Sequence, residues 1–77
     1  MIFIAIDVRE LAPPEPMTAI LSTLSTLPKG DGLRVHHSRQ PFPLYEKLTA
    51  AGWDYECTQK AEDYFLISIY RQQDKLT

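Results

Sequence analysis

The chain has 77 residues, 44% of them hydrophobic and 23% charged, which suffices for one core and not for two. A domain of this size buries roughly 60% of the surface of its unfolded chain, so it folds with little margin. A formal net charge of −2, with lysines and arginines scattered singly, argues against nucleic acid or an anionic membrane as partner.

Residues 2–8, Ile-Phe-Ile-Ala-Ile-Asp-Val, are β-branched and aromatic and predict a first strand, with Ile4, Ile6 and Val8 on the core face. The run is too short to span a membrane, Asp7 interrupts it, and no basic segment precedes it as in a signal sequence. Arg9 to Pro16 holds Pro13, Pro14 and Pro16 and predicts a loop, with Pro16 placed in the first turn of a helix. Met17, Ile20, Leu21, Leu24 and Leu27 then form the stripe of an amphipathic helix. Ser22, Thr23, Ser25 and Thr26 are weak helix formers, so packing must hold this helix. Pro28-Lys29-Gly30-Asp31-Gly32 is its stop and the following turn.

Leu33 to His37 alternates as a second strand, with Leu33, Val35 and His37 toward the helices and Arg34 and His36 on the other face. Strand, helix, strand over about thirty residues is a βαβ unit, which makes the first two strands parallel. Ser38 to Pro43 is a second proline-marked loop. It opens a second helix, with Leu44, Leu48 and Ala51 buried and Gly52 as the C-terminal cap. Trp53 to Thr58 predicts a third strand, with Trp53, Tyr55 and Cys57 on the core face. Gln59 to Asp63 reads as a turn, and the last strand places Phe65, Ile67 and Ile69 inward. The single domain ends at residue 71, and 72–77 reads as a polar, disordered tail.

The order βαβαββ gives an α/β (α+β) two-layer sandwich, a four-stranded mixed sheet with both helices on one face. The open face should carry Asp7, Arg34, Asp54, Glu56, Tyr64, Leu66 and Tyr70. Tyr64, Leu66 and Tyr70 could be simple sheet packing or a docking patch. Cys57, the single cysteine, cannot form an internal disulfide, which suits the cytoplasm.

Two stretches, Asp7-Val8-Arg9-Glu10-Leu11-Ala12-Pro13-Pro14-Glu15-Pro16-Met17 and Pro28-Lys29-Gly30-Asp31-Gly32-Leu33-Arg34-Val35, resemble the SirA/TusA-like family of bacterial sulfur carriers. In that family a Cys-Pro-x-Pro motif opens the first helix and its cysteine carries a persulfide. Here Pro14-Glu15-Pro16 matches the Pro-x-Pro part and Pro13 stands where the cysteine would be. Proline offers no thiolate, so persulfide transfer by that mechanism is not expected. The sequence His36-His37-x-Arg39-x-Pro41-x-Pro43-Leu44 is similar to an uncharacterised branch of the same fold, a domain of unknown function. Members of that branch accompany hemerythrin-like domains or lie among respiratory and nitrogen-oxide genes. The resemblance implies the fold and no activity.

The ends of the two parallel strands lead into Arg9-Glu10 and into His36-His37-Ser38-Arg39, and both helix N-termini point to that same edge. Arg9, Glu10, His36, His37 and Arg39 are therefore the candidate ligand-binding residues, beside the motif positions Pro13, Pro14, Glu15 and Pro16. Arg9 and Arg39 could equally neutralise Asp7, Glu10 and Glu15, and His37 could simply be a hydrogen-bonded structural residue. The spacing specifies no metal, cofactor or catalytic constellation. The leading expectation is a non-catalytic binding module, monomeric or weakly dimeric, that takes a protein partner or a small anion. The alternative is a metal- or redox-linked accessory protein whose histidines hold metal or haem. A sulfur carrier acting through Cys57 is the least favoured reading.

Overall fold

A computed structural model describes residues 2–73. The elements are β1 (Phe3–Asp7), α1 (Glu15–Ser25), β2 (Gly32–His37), α2 (Phe42–Ala50), β3 (Trp53–Ala61) and β4 (Tyr64–Arg71). They form a four-stranded mixed sheet with the order β1-β2-β4-β3. β1 pairs parallel to β2, with Ile4 beside Leu33 and Ile6 beside Val35, and β4 runs antiparallel to both β2 and β3. The expected α+β sandwich is the observed one. No helix among the described residues is long and apolar enough to cross a membrane.

The strand order follows from polarity. β4 carries Phe65, Leu66, Ile67 and Ile69 and lies inside the sheet, where both of its edges are paired. β3 carries Asp54, Glu56 and Lys60 and lies at an edge, where charges discourage further pairing. The core lies between one face of the sheet and the helices. Ile20 and Leu24 of α1 with Leu44, Tyr45 and Leu48 of α2 cover Leu33, Val35, Ile67 and Ile69.

Some boundaries differ from the sequence reading. Ile4 faces the core yet remains 39% exposed, because β1 is an edge strand that the helices only partly cover. Ala51 is exposed, and Tyr45 takes its expected place in the buried stripe. Ala51 already stands at the helix C-cap, whereas Tyr45 lies flat on Tyr55 with ring centroids 4.0 Å apart and planes 5° apart. β3 runs on to Ala61, so Glu62-Asp63 alone makes the turn that Gln59 to Asp63 was expected to fill. Gln59 and Ala61 pair with Phe65 and Tyr64 across a register shift, a bulge that accommodates polar residues at the sheet edge. Gln72, expected in the frayed tail, is anchored: its N–H donates to Gly52 O at 2.9 Å and its Nε2 to Trp53 O at 3.3 Å. Residues 74–77 of that expected tail lie outside the described residues.

Arg71 contributes a tie that the sequence reading missed. The last turn of α1 has no basic residue of its own. The Arg71 guanidinium reaches across from β4 and donates to Leu27 O at 2.9 Å and Pro28 O at 3.2 Å, while it rests 4.7 Å above the Trp53 ring. A cation placed there satisfies carbonyls just past the helix and complements the negative end of its dipole.

Ile20 is fully buried at the centre of the helical layer. Ile20→Ala should lower unfolding stability by about 2–5 kcal/mol in chemical denaturation. Ile4→Ala, at the partly covered edge, should cost less than half as much.

Candidate functional site

β1 and β2 end side by side, with Asp7 paired to His36 and the Val8 N–H donating to His36 O at 2.9 Å. Their continuations form the two loops that were expected to build one binding edge. The strands instead divide the candidate residues between two faces, because neighbouring side chains on β2 point in opposite directions.

On the open face, the His36 Nδ1 lies 2.7 Å from the Tyr64 hydroxyl, and the two rings stack at 5.8 Å. Arg9 sits 4.8 Å above the same tyrosine ring. Its guanidinium also grips Asp7 with two hydrogen bonds, at 3.0 and 2.8 Å, while its backbone N–H donates a third to the same carboxylate. These bonds from Arg9 hold the Asp7 carboxyl down at about 2. Asp7, Arg9, Glu10, Asp63 and Tyr64 surround a polar hollow of about 580 Å³. Three carboxylates against one committed guanidinium make this side acidic, which does not favour an anion.

On the helical face, His37 is buried at 4% exposure. The Arg39 backbone N–H donates to its Nδ1 at 3.2 Å. An N–H donor fixes Nδ1 as the acceptor, so the neutral ring carries its proton on Nε2. Burial, assisted by the nearby Arg39 charge, lowers the imidazole pKa and favours this neutral form. His37 lines a cleft of about 370 Å³ between the two proline loops. Leu11, Met17, Ile20 and Leu44 supply apolar walls, five prolines complete them, and Arg39 is the one charged residue in the lining.

Glu10 and Arg9 therefore belong to one side, His37 and Arg39 to the other, with Leu11 and Ser38 bordering both. Pro13, Pro14 and Pro16 form cleft wall, Pro13-Pro14 being joined by a cis peptide bond, whereas Glu15 is exposed and outside the lining.

The helix N-termini meet at the cleft but offer few donors to it. Pro16 and Pro43 have no N–H. The Glu15 N–H turns back to Ala12 O at 2.9 Å, Phe42 N–H to Gln40 O at 3.0 Å and Leu44 N–H to Pro41 O at 2.9 Å. A phosphate cradle needs several free, convergent amides, and these loops use theirs internally.

Cys57 packs half-buried against the core near Tyr45. The Tyr45 hydroxyl is buried and meets no partner in good hydrogen-bond geometry; burial first, and then the adjacent Cys57 thiol, push its pKa upward. Among the described residues, no three of His, Cys, Asp and Glu converge as a metal-holding group.

The model of one family, described as "Uncharacterized conserved protein (DUF2249)", matches residues 5–71. The chain belongs to that family. The DUF2249 match runs from the middle of β1 to the last residue of β4 and so includes both faces of the site. No curated protein and no solved structure matches the chain.

The His37 environment sets a pH dependence. A histidine held neutral in the fold binds its proton more readily when unfolded, where its pKa is near 6.5. Its contribution to stability is thus fully present above pH 6.5 and is lost as pH falls below that value toward the lowered folded one. Denaturation from pH 8 to 5 should show this loss, well above the range below pH 4 where Asp7 titrates. His37→Asn, whose amide oxygen can take the place of Nδ1, should flatten the curve.

Proposed function

We propose that this domain is a non-catalytic binding module that engages a protein partner at the cleft between its two proline loops. The observation that carries the reading is the cleft itself: about 370 Å³, walled mainly by prolines and aliphatic side chains, with one buried polar group and one cation. Apolar, concave and sparsely polar sites are the usual form of a ligand pocket. Proline walls add a fixed shape with no backbone donors to desolvate, which lowers the ordering cost of binding.

The chemistry within reach of the cleft supports binding over catalysis. Ser38 and His37 both line it, yet no hydrogen bond joins them, and the protonated Nε2 cannot serve as a base toward a hydroxyl. Of the two kinds of partner, a protein surface suits these walls better than a small inorganic anion, because the loop amides are already engaged.

The likeness to sulfur carriers fits the same proposal. In it the cleft corresponds to the surface around the carrier's motif, and Pro13 leaves that surface without a nucleophile. The single free thiol suits a reducing compartment such as the cytoplasm. The metal-linked alternative has less support, since His36 and His37 diverge to opposite faces and the Nδ1 of each is already engaged.

Titration with indole and isobutanol, followed by backbone amide shifts, tests the site. The largest shifts should fall on Leu11, Met17, Ser38, Gln40 and Leu44. Shifts centred on Tyr64 to Tyr70 would instead move the binding surface to the open sheet face. Thiol labelling addresses the sulfur-carrier reading: Cys57 should react at least about tenfold more slowly in the native protein than in denaturant.

A further inference from the structure

The cleft's polar groups define a more specific ligand than its apolar walls alone. His37 has one ring nitrogen engaged by the Arg39 N–H, which leaves Nε2–H as the remaining donor. No described residue accepts a hydrogen bond from Nε2. The Tyr45 hydroxyl is the only sealed, unpartnered side-chain polar atom among the described residues, so Nε2 is not shut inside the core. β2 aims this side chain at the helical layer, and the concavity it meets there is the cleft that His37 lines. The donor is thus open to the cleft, with no protein acceptor to compete with an incoming one.

Arg39 follows two residues later and borders the same cleft. The Arg39 N–H bond to the histidine ties the loop bearing the guanidinium to the ring itself, and no described acidic side chain forms a salt bridge with that guanidinium. The other lining groups are prolines, aliphatic side chains, Ser38 and Gln40. The arrangement is thus a neutral donor at the base, a free cation at the rim and apolar walls between them.

We propose that the cleft recognises a carboxylate attached to an apolar body, one carboxylate oxygen accepting from His37 Nε2–H and the charge facing Arg39. The inference rests on the cleft being the binding site. Two sources present this chemistry, the C-terminus of a partner chain that ends in an apolar residue and a free aromatic or aliphatic acid. Inorganic phosphate does not, because it lacks the apolar body and the loops lack the amide donors that would hold it.

The experiment compares N-acetylphenylalanine with its primary amide by amide-shift titration of the native protein, following the His37 imidazole nitrogens in parallel. The acid should shift the cleft amides and the Nε2–H resonance, and the amide should bind about tenfold more weakly. Arg39→Gln, a change at an exposed side chain, should keep the fold and abolish that preference. Phenylacetate and a tetrapeptide ending in phenylalanine then separate the sources, the tetrapeptide binding tighter if the natural ligand is a chain terminus. Equal affinity for acid and amide in the cleft overturns the carboxylate proposal and leaves the binding site standing. The same result follows if Arg39→Gln retains the preference. Binding of either probe away from the cleft overturns both.

Discussion

The alternation of side chains along β2 governs everything that happens at the loop edge. Leu33, Val35 and His37 enter the helical layer while Arg34 and His36 emerge on the open face. The core demands that arrangement, since Leu33 and Val35 are fully buried between Ile20, Leu44 and the central strand β4. Shifting β2 by one residue would expose both and bury an arginine. The two adjacent histidines are thereby separated by the thickness of the sheet, and each acquires its own surroundings. One joins a tyrosine, an arginine and an aspartate beside an acidic hollow; the other accepts from the Arg39 N–H and lines an apolar cleft.

The prolines act on electrostatics as much as on chain direction. A helix N-terminus attracts anions because its first amides point outward without partners. In both helices a proline removes one of those amides, and the flanking loop turns others back on itself. What remains at the cleft surface is apolar rings and Arg39. A site with the topology of a phosphate-binding edge thus has the surface of a hydrophobic recognition cleft.

At the other end of the molecule, the same economy of polar groups has a different solution. Helix α1 is rich in serine and threonine, whose hydroxyls bond back to its own carbonyls, as from Thr23 to Ala19 O at 2.8 Å. It lacks a basic residue near its C-terminus, and Arg71 from the last strand supplies the missing cation. That contact links the end of β4 to the end of the first helix, and the next residue, Gln72, bonds to Gly52 and Trp53.

The sequence by itself determined the element order, the parallel start of the sheet, the placement of both helices on one face and the opposite directions of His36 and His37. These follow from local periodicity, proline and glycine punctuation and the two-residue repeat of a strand, all of which act between near neighbours. Only the tertiary structure decided that β4 lies between β2 and β3, and that β1 is an edge on which Ile4 remains partly exposed. It also decided that Tyr45 stacks on Tyr55, and that Arg9 is committed to Asp7 and Tyr64 rather than free beside Arg39. Those outcomes depend on which distant surfaces meet and on which polar groups find partners there. The site residues Arg9, Glu10, His36, His37 and Arg39 were legible as a set because they end adjacent strands. The split of His36 from His37 was legible too. The acidic character of the hollow beside Arg9 and Glu10 and the apolar character of the cleft beside Arg39 were not, because they required the Arg9–Asp7 pairing and the loop hydrogen bonds that turn the amides inward.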